Sequence, residues 1–118
     1  MGAFAPTINN VAGAQLYIQA GVFNASGASI TGPGGTNGTL QIDAGATLCL
    51  GGTTASTNAT CNSGASDTTT RAMPTFQTYT FAVTSTVSYL SDASTTVTNT
   101  PTYGNLTLNP VFISTSRT

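Results

Sequence analysis

Apolar and polar residues alternate along much of this chain, most clearly in residues 79–110. There, Tyr, Phe, Val and Leu recur at every second position in short runs, with Ser, Thr and Asn between them. Such period-two alternation is typical of a strand with one buried face, whereas helical spacing of apolar residues recurs nowhere in the chain. The pattern predicts no helix and short strands at 16–18, 22–23, 29–31, 40–43, 47–50, 76–83, 86–90, 95–99, 105–108 and 111–114.

These segments predict an all-β fold. They recur at intervals of about 6 to 10 residues and are separated by turns that contain Gly or Asn. This spacing favours a parallel β-solenoid (β-helix), with an antiparallel β-sandwich that exchanges strands between copies as the alternative. The chain of 118 residues fits a single β domain, 1–118. The sequence predicts a low-complexity loop at residues 51–72 and extended arms at residues 1–14 and 111–118.

Charged residues are scarce in this sequence. They make up 4% of the chain, against roughly 25% in an average protein, and the formal net charge is −1. No basic patch is available to neutralise phosphates, so we expect no nucleic-acid partner. The predicted strands also lack the Lys and Glu residues that normally block edge-to-edge pairing, which favours a chain that pairs with copies of itself. The charged residues are Asp43, Asp67, Arg71, Asp92 and Arg117.

The two cysteines, Cys49 and Cys61, flank a segment rich in Gly, Thr, Ser and Asn. This arrangement suits a local disulfide in an oxidising compartment, where closing the loop stabilises the fold by about 3 kcal/mol; the alternative is two free thiols in a cytosolic protein. Alternation places Leu48 and Leu50 inward and Cys49 on the opposite face, outside the core. Two cysteines without histidine do not complete a zinc site.

Membrane insertion is not expected from this sequence. No run of about 18 apolar residues is present, and the N-terminal segment lacks the charged and apolar regions of a signal peptide. If the protein is secreted, we therefore expect the sequence to be a mature form or an expression product in which Met1 is an added start.

Two phrases in the chain, GTLQIDAGATLCLGG and STVSYLSDASTTVTNTPTYGNLTLNP, carry a resemblance to a known family. They resemble repeats of Thr/Ser-rich bacterial cell-surface β-helix proteins, the adhesin-like and gliding-associated proteins of the Bacteroidetes type. The match covers roughly residues 37–50 and 79–110. It implies a right-handed parallel β-helix on the outside of a bacterium, with a structural or adhesive role and no active-site residue to carry over.

Three aspartates are the candidates for chemistry. Asp43, Asp67 and Asp92 follow one another at nearly equal intervals, so repeats of that length would align them on one face. Aligned carboxylates serve calcium binding or glycoside hydrolysis, but the simpler interpretation is that of turn residues that bond their own backbone. We expect no catalytic residue, no metal and no cofactor.

Surface modification and ligand binding are further hypotheses. Asn24, Asn37, Asn58 and Asn105 begin Asn-x-Ser/Thr sequons and are candidate glycosylation sites. Thr-x-Thr pairs are spaced too irregularly for ice binding and suit exposed strand faces. Tyrosines such as Tyr17 stack on sugars in lectin-like sites, although half-buried sheet tyrosines are the commoner case.

The function expected from the sequence is structural, not enzymatic. We expect a subunit of an extracellular filament or cell-surface assembly that forms a homopolymer by β-strand stacking or strand exchange. The alternative is a monomeric module of a surface adhesin that binds surface glycans.

Overall fold

A computed structural model of the chain describes residues 7–24, 29–51, 61, 71–91, 93 and 95–108. Within these ranges the chain forms seven short strands and no helix. The strands are β1 Gln15–Ile18, β2 Val22–Asn24, β3 Thr39–Ile42, β4 Thr47–Leu50, β5 Thr78–Phe81, β6 Thr86–Tyr89 and β7 Asn105–Leu108.

The strands form two small sheets in which every pair is parallel. The first sheet has the order β1-β3-β5, and the second has the order β2-β4-β6-β7. Consecutive strands from β1 to β6 therefore alternate between the sheets. All-parallel sheets usually occur with helices on their connections, but in the described part of this chain the connections contain no helix.

The predicted fold class, a parallel β-solenoid or alternatively an antiparallel β-sandwich, is wrong. The sandwich fails because all described pairs are parallel. The β-solenoid fails because regular turns need a constant repeat length, and the paired positions here are unevenly spaced. Thr39 pairs with both Gln15 and Thr78, and the interval to Thr78 is much the longer of the two. The interval from Thr86 to its partner Asn105 is shorter than either. We assign the fold as two small all-parallel sheets.

The core lies along the inward rows of both sheets. In the first sheet, Ile18, Ile42 and Phe81 pair in register, and in the second, Leu48 pairs with Val87. Leu40, Ile42 and Leu48 are fully buried. Alternation along each strand explains this arrangement, since every second side chain turns to the same face of the sheet.

Several predicted strands differ from the observed ones. Residues 29–31 contribute only an isolated bridge, Thr31 to Thr7, and residues 95–99 are irregular. The strand predicted at 76–83 is confined to β5. Residues 1–6 and 111–118 of the predicted arms lie outside the described ranges, as does most of the predicted loop at 51–72.

The disulfide joins Cys49 and Cys61, the pair that the sequence predicts, with 5.6 Å between their Cα atoms. Its position corrects the predicted exposure of Cys49, because this residue is buried. Cys49 lies in register between Asn24 and Ser88, which are also buried. Alternation places Cys49 on the outer face of the sheet, but that face is covered here and not open to solvent.

Candidate functional site

The last strand of the second sheet, β7, is the most exposed strand in the described part of the chain. All four of its residues are exposed, including the large apolar side chains of Leu106 and Leu108, each at 41%. Their partners on β6 are buried: Val87, beside Leu106, is 1% exposed, and Tyr89, beside Leu108, is 4% exposed. The apolar side chains of the second sheet are therefore buried on β6 and become exposed to solvent on β7. We call residues 105–108 the β7 edge.

Some main-chain groups of the β7 edge point away from β6. Asn105 donates its backbone N–H to the carbonyl oxygen of Ser85, at 2.8 Å, toward β6. Successive residues of a strand turn their N–H and C=O groups to opposite sides, so Leu106 and Leu108 turn theirs away from β6. Within the described ranges no strand pairs with that side. The β7 edge thus offers main-chain donors and acceptors beside two exposed leucines.

On β5, the last strand of the first sheet, the inward side chain of Phe81 is covered by an aromatic ring. The ring of Tyr103 packs on that of Phe81 with 5.9 Å between centroids, and Val97 packs against the same core. The Tyr103 hydroxyl donates to the carbonyl oxygen of Thr98 at 2.8 Å and lies 3.0 Å from the hydroxyl of Tyr89. We call this arrangement the Tyr103 cover.

The hydroxyls of the Tyr103 cover stay protonated in the folded chain. Burial raises the pKa of Tyr103 well above its usual value, and the neighbouring Tyr89 raises it further. Burial also raises the pKa of Tyr89. Both groups therefore act as neutral hydrogen-bonding partners. The bond to Thr98 closes residues 98–103 on themselves, and the contact with Tyr89 ties them to β6, while the Tyr103 ring packs on Phe81 of the first sheet.

Gly104 joins the Tyr103 cover to β7. A Cβ atom built on it lies 2.4 Å from the carbonyl oxygen of Ala82 and 2.6 Å from that of Val83. These distances are shorter than any normal Cβ contact, so the position accepts no side chain without displacing backbone. Glycine here lets the chain pass directly against the turn between β5 and β6 and enter β7 in register.

A polar cluster lies on the outward face of the first sheet. Tyr17 donates its hydroxyl to Asp43 Oδ2, and Gln41 Nε2 donates to Asp43 Oδ1 at 2.9 Å. Gln15 Nε2 lies 3.5 Å from Gln41 Oε1. Tyr17 is 46% exposed, so its ring faces solvent. We call these four residues, Gln15, Tyr17, Gln41 and Asp43, the outer polar row.

The hydrogen bonds of the outer polar row shift the pKa values of its two acids. The bond from Tyr17, followed by that from Gln41, holds the pKa of Asp43 below its usual value. The same bond to Asp43 raises the pKa of Tyr17. The row therefore carries one carboxylate and one neutral phenol at neutral pH.

The structure places only one of the three predicted aspartates. Asp43 lies in the outer polar row, while Asp67 and Asp92 lie outside the described residues. Among the residues that the structure does describe, no three His, Cys, Asp or Glu side chains gather as a metal site. The interpretation of Asp43 as a self-bonding turn residue misses its real side-chain partners, Tyr17 and Gln41.

The predicted glycosylation sites differ in their surroundings. Asn24 is buried, so the folded chain does not present its amide to an enzyme. Asn37 donates to Asn10 Oδ1 at 2.7 Å, and Asn105 donates from Nδ2 to the Ser85 carbonyl oxygen at 3.1 Å. Asn58 lies outside the described residues. Glycosylation at all four positions, Asn24 included, stays a prediction.

Sequence reasoning misses the Tyr103 cover and the outer polar row. Each depends on contacts between residues far apart in the chain, such as Tyr17 with Asp43, 26 residues later. The available signal is the alternation within each strand, which turns Tyr17 and Gln41 outward but does not say which strands are neighbours. No helix in the described ranges is long and apolar enough to cross a membrane.

No family model, curated protein or solved structure matches this chain. The resemblance drawn from the two repeated phrases therefore stays a prediction.

Proposed function

We propose that this chain is a structural subunit of an extracellular assembly, in which a second copy pairs with the β7 edge. The observation that carries this proposal is that Leu106 and Leu108 are exposed on an uncharged strand whose outer main-chain groups pair with no strand in the described ranges. An edge of this kind is a template for a further strand, and no charged residue of β7 blocks the approach. Main-chain hydrogen bonds and apolar burial supply the association.

The opposite edge of the same sheet provides the complementary surface. One inward row begins with Phe23 on β2 and ends with Leu106 on β7. Pairing β2 of a second copy with β7 places Phe23 beside Leu106 and keeps every strand parallel. The two surfaces are different, so the contact repeats head to tail and builds an open filament, not a closed dimer.

Two further features support an extracellular assembly. The disulfide between Cys49 and Cys61 belongs to an oxidising compartment. A net charge of −1 gives little electrostatic repulsion between copies, as an assembling subunit requires. The strand exchange expected from the sequence uses one of the two arms, residues 1–14 or 111–118. Of these only residues 7–14 are described, and the proposal does not depend on either arm.

Sedimentation velocity of the purified chain over a range of concentrations tests the proposal. The wild type should form larger species as concentration rises, and these should persist in 1 M salt, where the Debye length is about 3 Å. Leu106→Lys should stay monomeric, because it places a charge at the β7 edge. Val83→Lys is the matched control: Val83 is 85% exposed in a turn outside the strands and should assemble like the wild type.

Two results would contradict head-to-tail assembly. The first is assembly of Leu106→Lys to the same extent as the wild type, with circular dichroism showing that both are folded. The second is a wild type that remains monomeric at every concentration, which would favour the alternative of a monomeric binding module.

A further inference from the structure

We propose that the outer polar row is a binding site for a neutral, extended polysaccharide. The row lies on the first sheet, away from the β7 edge of the second sheet, so this proposal does not depend on assembly. It begins from the arrangement of Tyr17, Gln41 and Asp43 on the outward face of adjacent parallel strands.

The ring of Tyr17 is both exposed and held. Its hydroxyl is bonded to Asp43, and its strand position is set by pairing with Gln41. A held aromatic ring loses little conformational freedom on binding, which lowers the entropic cost of association. An exposed ring on the sheet face offers an apolar plane to a ligand with a flat apolar face of its own.

The neighbouring groups supply the polar part of carbohydrate recognition. The Gln15 and Gln41 amides each carry both donors and acceptors, and the Asp43 carboxylate accepts hydrogen bonds from hydroxyls. A sugar ring matches this set, because it combines a C–H face that packs on an aromatic ring with hydroxyls around its rim. The outer polar row therefore fits carbohydrate better than a purely apolar ligand.

Charge and shape narrow the class of carbohydrate. Asp43 is the charged member of the row, and Arg71, the one cation within the described ranges, donates instead to Ser29 Oγ at 3.0 Å. No cation of the described residues pairs with the Asp43 carboxylate, and a carboxylate that is not paired in this way repels acidic glycans. The outward face continues over β5 through Thr78 and Thr80, so the polar surface crosses three strands, about 10 Å. An extended chain of neutral sugars matches this width.

Isothermal titration of the full chain with cellohexaose, at a concentration where the protein is monomeric, tests the proposal. The wild type should bind, and Tyr17→Ala should weaken binding by about tenfold or more. Tyr17→Phe keeps the ring and should bind more tightly than Tyr17→Ala. Polygalacturonate, an acidic polysaccharide, should bind more weakly than cellohexaose.

A control variant and a sedimentation measurement show whether any loss of binding is specific to the outer polar row. Thr96→Ala changes an exposed residue of the irregular segment 95–103 and should bind cellohexaose like the wild type. Tyr17→Ala should sediment like the wild type, which separates this site from the β7 edge. The proposal is overturned if the wild type does not bind cellohexaose, if Tyr17→Ala binds it equally well, or if polygalacturonate binds more tightly.

Discussion

The two sheets end in opposite ways. The first sheet stops at β5, where Tyr103 packs on Phe81 and Val97 lies against the core. The second sheet continues one strand further to β7, where Leu106 and Leu108 remain 41% exposed. Both ends involve the same uncharged segment, residues 95–108, yet an aromatic ring covers the apolar row at one end, whereas the apolar row at the other end is exposed.

The difference shows how a chain with few charges controls its sheet edges. A covered edge needs a side chain large enough to span the end of the core and polar enough to bond the backbone beyond it, and Tyr103 does both through its ring and its hydroxyl. The open edge has no such side chain in the described ranges. An edge that is neither covered nor charged is available for pairing, which is why we assign assembly to β7.

The largest expected effect is the difference in stability loss between a core substitution and a substitution at the β7 edge. Leu40→Ala removes a fully buried side chain and should lower the free energy of unfolding by about 2–5 kcal/mol. Leu106→Ala removes a half-exposed one and should cost no more than about 1 kcal/mol in the monomer. Urea denaturation at low protein concentration measures both. Equal losses would mean that β7 is part of the core and not an open edge.

A substitution at Gly104 tests whether β7 depends on the close approach of the chain to the β5–β6 turn. Gly104→Ala places a Cβ against two carbonyl oxygens of the β5–β6 turn and should destabilise the fold by about 1–3 kcal/mol. Gly35→Ala is the matched control, since its nearest contact is the Thr75 Cγ2 methyl at 3.9 Å. Thermal unfolding of both variants gives the comparison. A neutral Gly104→Ala would mean that β7 does not depend on this close approach.

A smaller effect is expected from the hydroxyl of the Tyr103 cover. Tyr103→Phe keeps the ring on Phe81 but removes the hydrogen bonds to Thr98 and Tyr89, and it should cost about 1 kcal/mol. Tyr17→Phe, at an exposed tyrosine, should cost less. Urea denaturation of both variants measures the two losses in free energy of unfolding. A larger loss for Tyr17→Phe than for Tyr103→Phe would contradict a stabilising role for the Tyr103 hydroxyl.

Much of the strand pattern could be predicted from the sequence, because alternation is a local signal. The segments predicted at 40–43, 47–50 and 105–108 lie on or within one residue of β3, β4 and β7. The segment at 95–99 alternates equally well but is irregular, since Tyr103 bonds the Thr98 carbonyl and the chain passes over the end of the sheet. Local pattern does not contain that tertiary contact.

The candidate sites were less predictable for the same reason. Cys49 follows the alternation rule and lies on the outer face of its strand. Its burial there depends on other parts of the chain, including its disulfide partner Cys61, and alternation within one strand does not predict that. Asp43 is recognisable as a carboxylate, while its partnership with Tyr17 depends on the register between β1 and β3. Register between strands that lie far apart in the chain is set by packing of the whole sheet and not by either strand alone.

The smallest expected effect is the pH response of the outer polar row. Because the pKa of Asp43 is lowered in the folded chain, its contribution to stability is present above its unfolded pKa and is lost as pH falls through the folded value. Asp43 is only partly buried, so solvent screening keeps this contribution small. An NMR titration should place the Asp43 midpoint below 3.8, the ordinary value, and Tyr17→Phe should raise it. A midpoint above 3.8 in the wild type would contradict the hydrogen bonds described.

Hydrogen exchange at the β7 edge tests the central claim most directly. The backbone amides of Leu106 and Leu108 should exchange quickly in the dilute monomer and become protected as concentration rises, because a second copy then pairs with them. The amides of Asn105 and Thr107, which turn toward β6, should be protected at both concentrations. Exchange at Leu106 and Leu108 that does not change with concentration, in a sample that assembles, would place the interface elsewhere and contradict the account.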